Sequence, residues 1–213
     1  MVEVQRHREA GPGRAVRVMG IDPGVREVGY GVIDWVTATR RSQLVDYGVI
    51  HTSASLPLGR RLELIHRELG EHIRVHGPQV AAIEELYFAK NAKTAMMVAH
   101  GRAACMLAAS GGGMEILEYT PLQIKQALTG SGRAGKQQVQ AMVRVVLELA
   151  ETPRPDHAAD ALAAALCHVH SMGLREKAER LRTEGHGVDG GALKPEKLRL
   201  VALGRRRRGR RRR

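Results

Sequence analysis

Apolar positions in this chain come first in short consecutive runs and later at every third or fourth residue, which predicts strands followed by helices. VRVMGID, residues 16 to 22, is an apolar run closed by Asp-Pro-Gly and reads as a strand ending in a turn. VGYGVIDWV (28 to 36) and QLVDYGVIHT (43 to 52) are two further strands rich in β-branched and aromatic residues, and their short links predict an antiparallel meander. From 57 to 77, Leu58, Leu62, Ile65, Leu69 and Ile73 recur at helical spacing, and Gly77 supplies the stop. VAAIEEL (80 to 86) reads as a buried strand reached by a parallel crossover. A helix over 92 to 109, a strand MEILEY (114 to 119), and helices over 121 to 128, 135 to 148 and 156 to 172 complete the pattern. The order βββαβαβααα predicts an α/β domain: a mixed five-stranded sheet with helices on both faces.

Composition adds boundaries to this picture. The 213 residues suffice for one such domain with extensions. We expect a flexible N-terminal extension over 1 to 15, the domain over 16 to 173, and a flexible basic tail over 174 to 213. The net charge of +12 falls to +4 once the eight arginines of GRRRRGRRRR, Arg205 to Arg208 and Arg210 to Arg213, are set aside. The basicity therefore sits mostly in the tail, which suits contact with any polyanion and is silent about chemistry. No apolar run is long enough to span a bilayer and the N-terminus has no apolar signal region, so the expectation is a cytoplasmic protein without membrane contact. Cys105 and Cys167 lie in Ala/Leu/Met-rich helical stretches without metal-ligand spacing and read as small core residues.

The candidate chemistry lies in acidic residues where strands end. Asp22 closes the first strand inside GIDPG, and Glu84 and Glu85 close VAAIEEL. Alternation sends only one of the two glutamates toward a given face. Asp22 also has a plain reading as a turn residue. Glu84 resists one, because a strand beginning VAAI calls for another apolar residue. In PDHAADALAAAL, His157 and Asp160 share one helix face, and Asp156 after Pro155 is placed as the N-cap. Three carboxylates and an imidazole suit Mg²⁺ or Mn²⁺ better than structural zinc, and fit two-metal phosphodiester hydrolysis.

Together GIDPGVREVGYGVI, AIEELYFAKNAKTA, GRAACML, YTPLQIKQALTGSGRAGKQQVQAMV and DHAADALAAAL resemble the RuvC family of Holliday-junction resolvases, from about Val18 to His170. The resemblance implies a ribonuclease-H-like fold and a homodimeric, metal-dependent endonuclease. Such an enzyme nicks opposed strands of four-way junction DNA symmetrically, in recombination and repair, alongside RuvA and RuvB. It carries the catalytic and metal-holding positions onto Asp22, Glu84, His157 and Asp160, with two Mg²⁺ per site expected and Mn²⁺ as a possible substitute. Family members carry aspartate or histidine at the position of His157, and the imidazole shifts preference toward Mn²⁺. DNA contacts fall on Tyr87, by base stacking, and on Asn91, Lys125, Arg133 and Lys136. Lys136 follows the glycine-rich GSGRAG at a helix start, where backbone N–H groups favour phosphate. The helix over 92 to 109, apolar nearly all round, is a candidate subunit interface.

Three other readings compete. DPGVREVGYGV loosely fits the phosphate loop of an actin-like kinase, yet the chain lacks the length and second Asp-x-Gly strand of such proteins. A non-catalytic nucleic-acid-binding module would leave the four-residue constellation without a purpose. A nuclease acting on RNA or on other branched DNA differs only in substrate.

Overall fold

The structure, a computed structural model, describes residues 15–85 and 92–184, and the side chains of 15–85 and 94–174. The strands are β1 (Ala15–Asp22), β2 (Glu27–Val36), β3 (Arg41–His51), β4 (Val80–Glu84) and β5 (Glu115–Tyr119). The helices are α1 (Leu58–His76), α2 (Ala92–Gly111), α3 (Pro121–Thr129), α4 (Lys136–Val146) and α5 (Asp156–Glu184). They follow the predicted order. The sheet runs β3-β2-β1-β4-β5, with β1, β2 and β3 antiparallel and β4 parallel to both β1 and β5. The chain divides into compact units Met1–Arg175 and Glu176–Arg213; of the second, residues 176–184 belong to α5. No described helix is long and apolar enough to cross a membrane.

Alternation along the strands gives the sheet two apolar faces. Met19, Ile21, Val32 and Ile83 face α1 and α2, packing with Ile65, Leu69, Cys105 and Ala108. Val18, Ile33 and Ala82 face the other way, packing with Ile124 of α3, Val143 of α4, and Leu162, Leu166 and Cys167 of α5. Both cysteines are buried and free, as their sequence context predicts.

Several ends differ from the sequence pattern, among them β3, which starts at Arg41, α2, which ends at Gly111, and α4, which ends at Val146. β4 stops at Glu84 rather than at residue 86. α5 continues to Glu184 instead of ending near 172. The segment LREKAERLRTE is made of strong helix formers, so the single Gly173 costs less than those residues supply. α1 ends where expected, with Gly77 at φ 58° and ψ 46° and its N–H donating to the Ile73 carbonyl at 2.8 Å. β3 carries a bulge: Val32 lies opposite Asp46 but Ile33 lies opposite Leu44, which leaves Val45 as the additional residue.

α5 lies directly on the sheet because the sheet is bare beneath it. A Cβ on Gly20 would overlap the Ala161 carbonyl, and one on Gly29 would overlap the His157 carbonyl. On the helix side Ala158, Ala161, Ala164 and Ala165 are fully buried. Small residues on both surfaces therefore bring backbone against backbone. Gly20→Ala is expected to destabilise the fold by about 1–3 kcal/mol through overpacking. Gly70→Ala, in the interior of α1 with nothing within 4 Å of the added carbon, is expected to stabilise it by about 0.5–1 kcal/mol. Denaturant unfolding of the two variants checks the opposite signs.

Candidate active site

β1 and β4 are parallel neighbours in register, with Ile21 beside Ile83. Both isoleucines belong to the α1/α2 face, so the residues that follow, Asp22 and Glu84, point toward α5. Glu84 is half-buried while Glu85 is exposed, and the Glu85 N–H donates to the Tyr119 carbonyl at 2.8 Å. One glutamate of the pair thus enters the site, as alternation requires. α5 brings its first turn over the same end of the sheet: His157 Nδ1 lies 2.7 Å from Asp22 Oδ2. Its other ring nitrogen, Nε2, lies 3.2 Å from Glu27 Oε2.

The carboxylates act on one another through a partly dry environment. Burial pushes Glu84 up to about 7, helped by the negative charges of Asp22 and Asp160 and opposed by Lys125 and Lys136. Burial likewise raises Asp160, against the hydrogen bond and charge of Lys136. Hydrogen bonding to Asp22 raises His157 above the ordinary histidine value, and the charge of Glu27 adds to it. The Lys136 ammonium sits 2.9 Å from Asp160 Oδ2 and 3.2 Å from Asp156 Oδ2. Burial works against its charge, but the bonds to Asp160 and Asp156 raise its pKa overall.

Asp156 does not cap α5. The Ala158 N–H donates to the Pro155 carbonyl at 3.0 Å, so Pro155 holds the capping position and Asp156 is the first helical residue. Its carboxylate is instead drawn to α4, accepting from Gln140 Nε2 at 3.1 Å beside the Lys136 ammonium. The glycine-rich loop delivers Lys136 as the first residue of α4, with Gly135 at the N-cap. Lys125, on α3, is partly buried and close enough for Glu84 to feel its charge. Arg133 is exposed in the loop, its N–H donating to Ser131 Oγ at 3.3 Å. Tyr87, Phe88 and Asn91 lie outside the described residues.

Asp22, Glu84, His157 and Asp160 gather at one end of the sheet, but no three of them bring ligand atoms within 4.8 Å of one another. Among the described residues, the group that does so is Asp46, His72 and His76. Asp22 is turned to His157 and Asp160 to Lys136.

Sequence reasoning missed two contributors. Glu27 shares the α5-facing side of β2 with Gly29, a placement that the β1–β2 register, Asp22 opposite Gly29, makes readable. Arg102 of α2 is buried; its guanidinium donates to the Glu84 carbonyl and pairs with Glu118 Oε2 of β5 at 2.7 Å. Nothing in the pattern of α2 announces an inward arginine, since its partners come from two other elements.

The His157 environment makes a pH prediction. A histidine with a raised folded-state pKa contributes stability below the unfolded value of about 6.5, and loses it as pH rises through the folded value. Glu27→Gln is expected to lower the His157 pKa and to destabilise the metal-free protein in acid more than in alkali. NMR titration of the ring, and unfolding at about pH 5.5, where the carboxylate is ionised and the ring protonated, against about pH 9, check this.

Comparisons with known proteins identify the family. The model of the family described as "Crossover junction endodeoxyribonuclease RuvC" matches residues 18–168. A curated protein of that description from Pelotomaculum thermopropionicum is 48% identical over 153 residues, 72% of this chain and 92% of that protein. One from Alkaliphilus oremlandii is 45% identical over 159 residues, 75% of this chain and 96% of the relative. The solved structure of Thermus thermophilus RuvC in complex with Holliday junction substrate superimposes with a TM-score of 0.71 at 38% identity, covering 75% of this chain and 96% of that one. With the family's profile spanning most of the described domain and relatives at this identity along nearly their whole length, the chain belongs to the RuvC family of crossover junction endodeoxyribonucleases.

Proposed function

We propose that this chain resolves four-way DNA junctions by paired, symmetric phosphodiester hydrolysis, with Asp22, Glu84, His157 and Asp160 as its catalytic and metal-holding residues. What carries the reading is the gathering of two carboxylates from the ends of parallel strands with an imidazole and a third carboxylate from the start of α5, beside Lys125 and Lys136. The donor set fits a hard divalent cation. Glu84, raised to about 7 partly by its acidic neighbours, belongs to a cluster whose negative charge a cation relieves. When bound, two Mg²⁺ ions, or Mn²⁺ in their place, would activate the attacking water and stabilise the leaving oxygen.

The protein's own groups do the rest. Asp22 orients the His157 ring, and Glu27 holds its far nitrogen. Lys136 offers a compact positive charge beside Asp160, suited to a phosphate oxygen as negative charge grows there. Lys125 and Arg133 extend the positive surface, with Tyr87 and Asn91 as further DNA contacts. A two-fold homodimer matches the symmetry of a four-way junction and supplies both cuts. Met96, Ala99, Ala103 and Leu107 form an exposed apolar stripe along α2, suited to that contact. The enzyme acts in the cytoplasm, on branches moved by RuvA and RuvB, and residues 174–213 add salt-sensitive affinity for DNA.

Cleavage of a mobile four-way junction, set against matched linear duplex in Mg²⁺ or Mn²⁺, tests the reading. Paired nicks on the junction alone, lost in Asp22→Asn with binding retained, are expected. Junction binding without cleavage in either metal would overturn it. Lys136→Met is expected to lower the cleavage rate by about 10²–10³-fold with junction affinity changed far less, measured in single-turnover reactions.

A further inference from the structure

The bulge in β3 has a consequence away from the carboxylate cluster. Leu44, opposite Ile33, packs into the α5 face of the sheet, whereas Asp46, opposite Val32, faces α1. In a regular strand these two residues, two apart, would point the same way. The additional Val45 turns an acidic side chain toward a helix that presents His72 and His76 one turn apart.

The three side chains converge on one oxygen. His76 Nε2 lies 2.9 Å from Asp46 Oδ2, His72 Nδ1 lies 4.0 Å from the same atom, and the chosen ligand atoms of all three fall within 4.8 Å of one another. Hydrogen bonding accounts for His76 but not for His72, whose distance is too long for such a bond. The two imidazole rings are nearly parallel, 3° apart in plane. Tetrahedral coordination at about 2.0–2.1 Å places donors about 3.4 Å apart, within the spread seen here.

The surroundings hold this group in place. Arg17 Nη1 donates to the His76 carbonyl at 2.8 Å, and its guanidinium is fixed to Asp34 by two bonds of 2.8 Å. The Tyr30 hydroxyl donates to Asp46 Oδ2 at 3.4 Å, and its ring lies 4.0 Å from that of His72. Burial lowers the His72 pKa, against the charge of Asp46, and so favours the neutral imidazole that coordinates metal.

We propose that Asp46, His72 and His76 form a binding site for a borderline transition-metal dication, of which Zn²⁺ is the representative, tying the end of α1 to the edge strand β3. Two imidazoles and one carboxylate select Zn²⁺, Co²⁺ or Ni²⁺ over Mg²⁺, and a water completes the shell. The site calls for a different ion from the carboxylate cluster and uses none of its residues.

The experiment uses the full chain stripped with chelator and then kept in excess Mg²⁺. Zn²⁺ uptake is measured by equilibrium dialysis, and Co²⁺ by its visible absorption, in the unaltered protein and in His72→Gln, His76→Gln and Asp22→Asn. His72→Gln leaves the His76–Asp46 bond in place, so it serves as the variant least disturbing to the fold. One equivalent with tetrahedral Co²⁺ bands, retained in Asp22→Asn and weakened at least about tenfold in both histidine variants, is expected. Zn²⁺ at about a hundredfold over the unaltered chain's Kd should raise Tm by about 5–10 °C in that chain, and by no more than about half as much in His72→Gln. Equal uptake by the unaltered protein and the histidine variants, or loss of that equivalent in Asp22→Asn, would overturn the proposal.

Discussion

The contact on which the site depends is the approach of α5 to the bare strip of sheet formed by Gly20 and Gly29. Asp22 is two residues beyond Gly20, and His157 sits where the helix touches Gly29. One backbone-to-backbone contact therefore sets both the position of the helix and the 2.7 Å distance between Asp22 and His157. An alanine-rich helix is needed for the same reason, because larger side chains at 158, 161 and 165 would lift it away. The packing that stabilises the domain and the geometry that assembles the site are one feature, so a substitution at either surface acts on both.

Electrostatics then decides what that geometry becomes. Three carboxylates brought to one end of a sheet repel, and the fold compensates with His157 lodged between Asp22 and Glu27 and with Lys136 laid against Asp160 and Asp156. Glu84 has the least direct compensation. Its backbone carbonyl is held by the buried Arg102, but among the described residues its carboxyl gains only the charges of Lys125 and Lys136. Burial and the charges of Asp22 and Asp160 therefore push it up to about 7.

The sequence made the strand and helix order legible because each element obeys its own period: two along β1 to β5, and three to four along α1. It also exposed Asp22, Glu84, His157 and Asp160, since a charge ending an apolar run or sharing a helix face is visible locally. Three things were not visible. The cap of α5 passed from Asp156 to Pro155 because Lys136 and Gln140, on another element, compete for that carboxylate. Arg102 turns inward only because Glu84 and Glu118 arrive from two different strands. The bulge at Val45 has no distinctive residue, and it emerges only when β3 is registered against β2.

That bulge bears on how the edge of the sheet is managed. β3 is an edge strand, and unbroken alternation along such a strand invites pairing with other chains. An additional residue interrupts the ladder midway and at the same time turns Asp46 inward, where Tyr30 and His76 engage it. A device that protects the edge thus also creates a polar cluster between β3 and α1. Asp46 and His76 are tolerated there because each finds a hydrogen-bond partner from a neighbouring element. At the opposite face the same sheet tolerates acidic residues by pairing them with lysine and histidine. In both places the polar residues sit where the regular pattern of the strand ends or breaks, which is where a sheet can admit charge without opening its core.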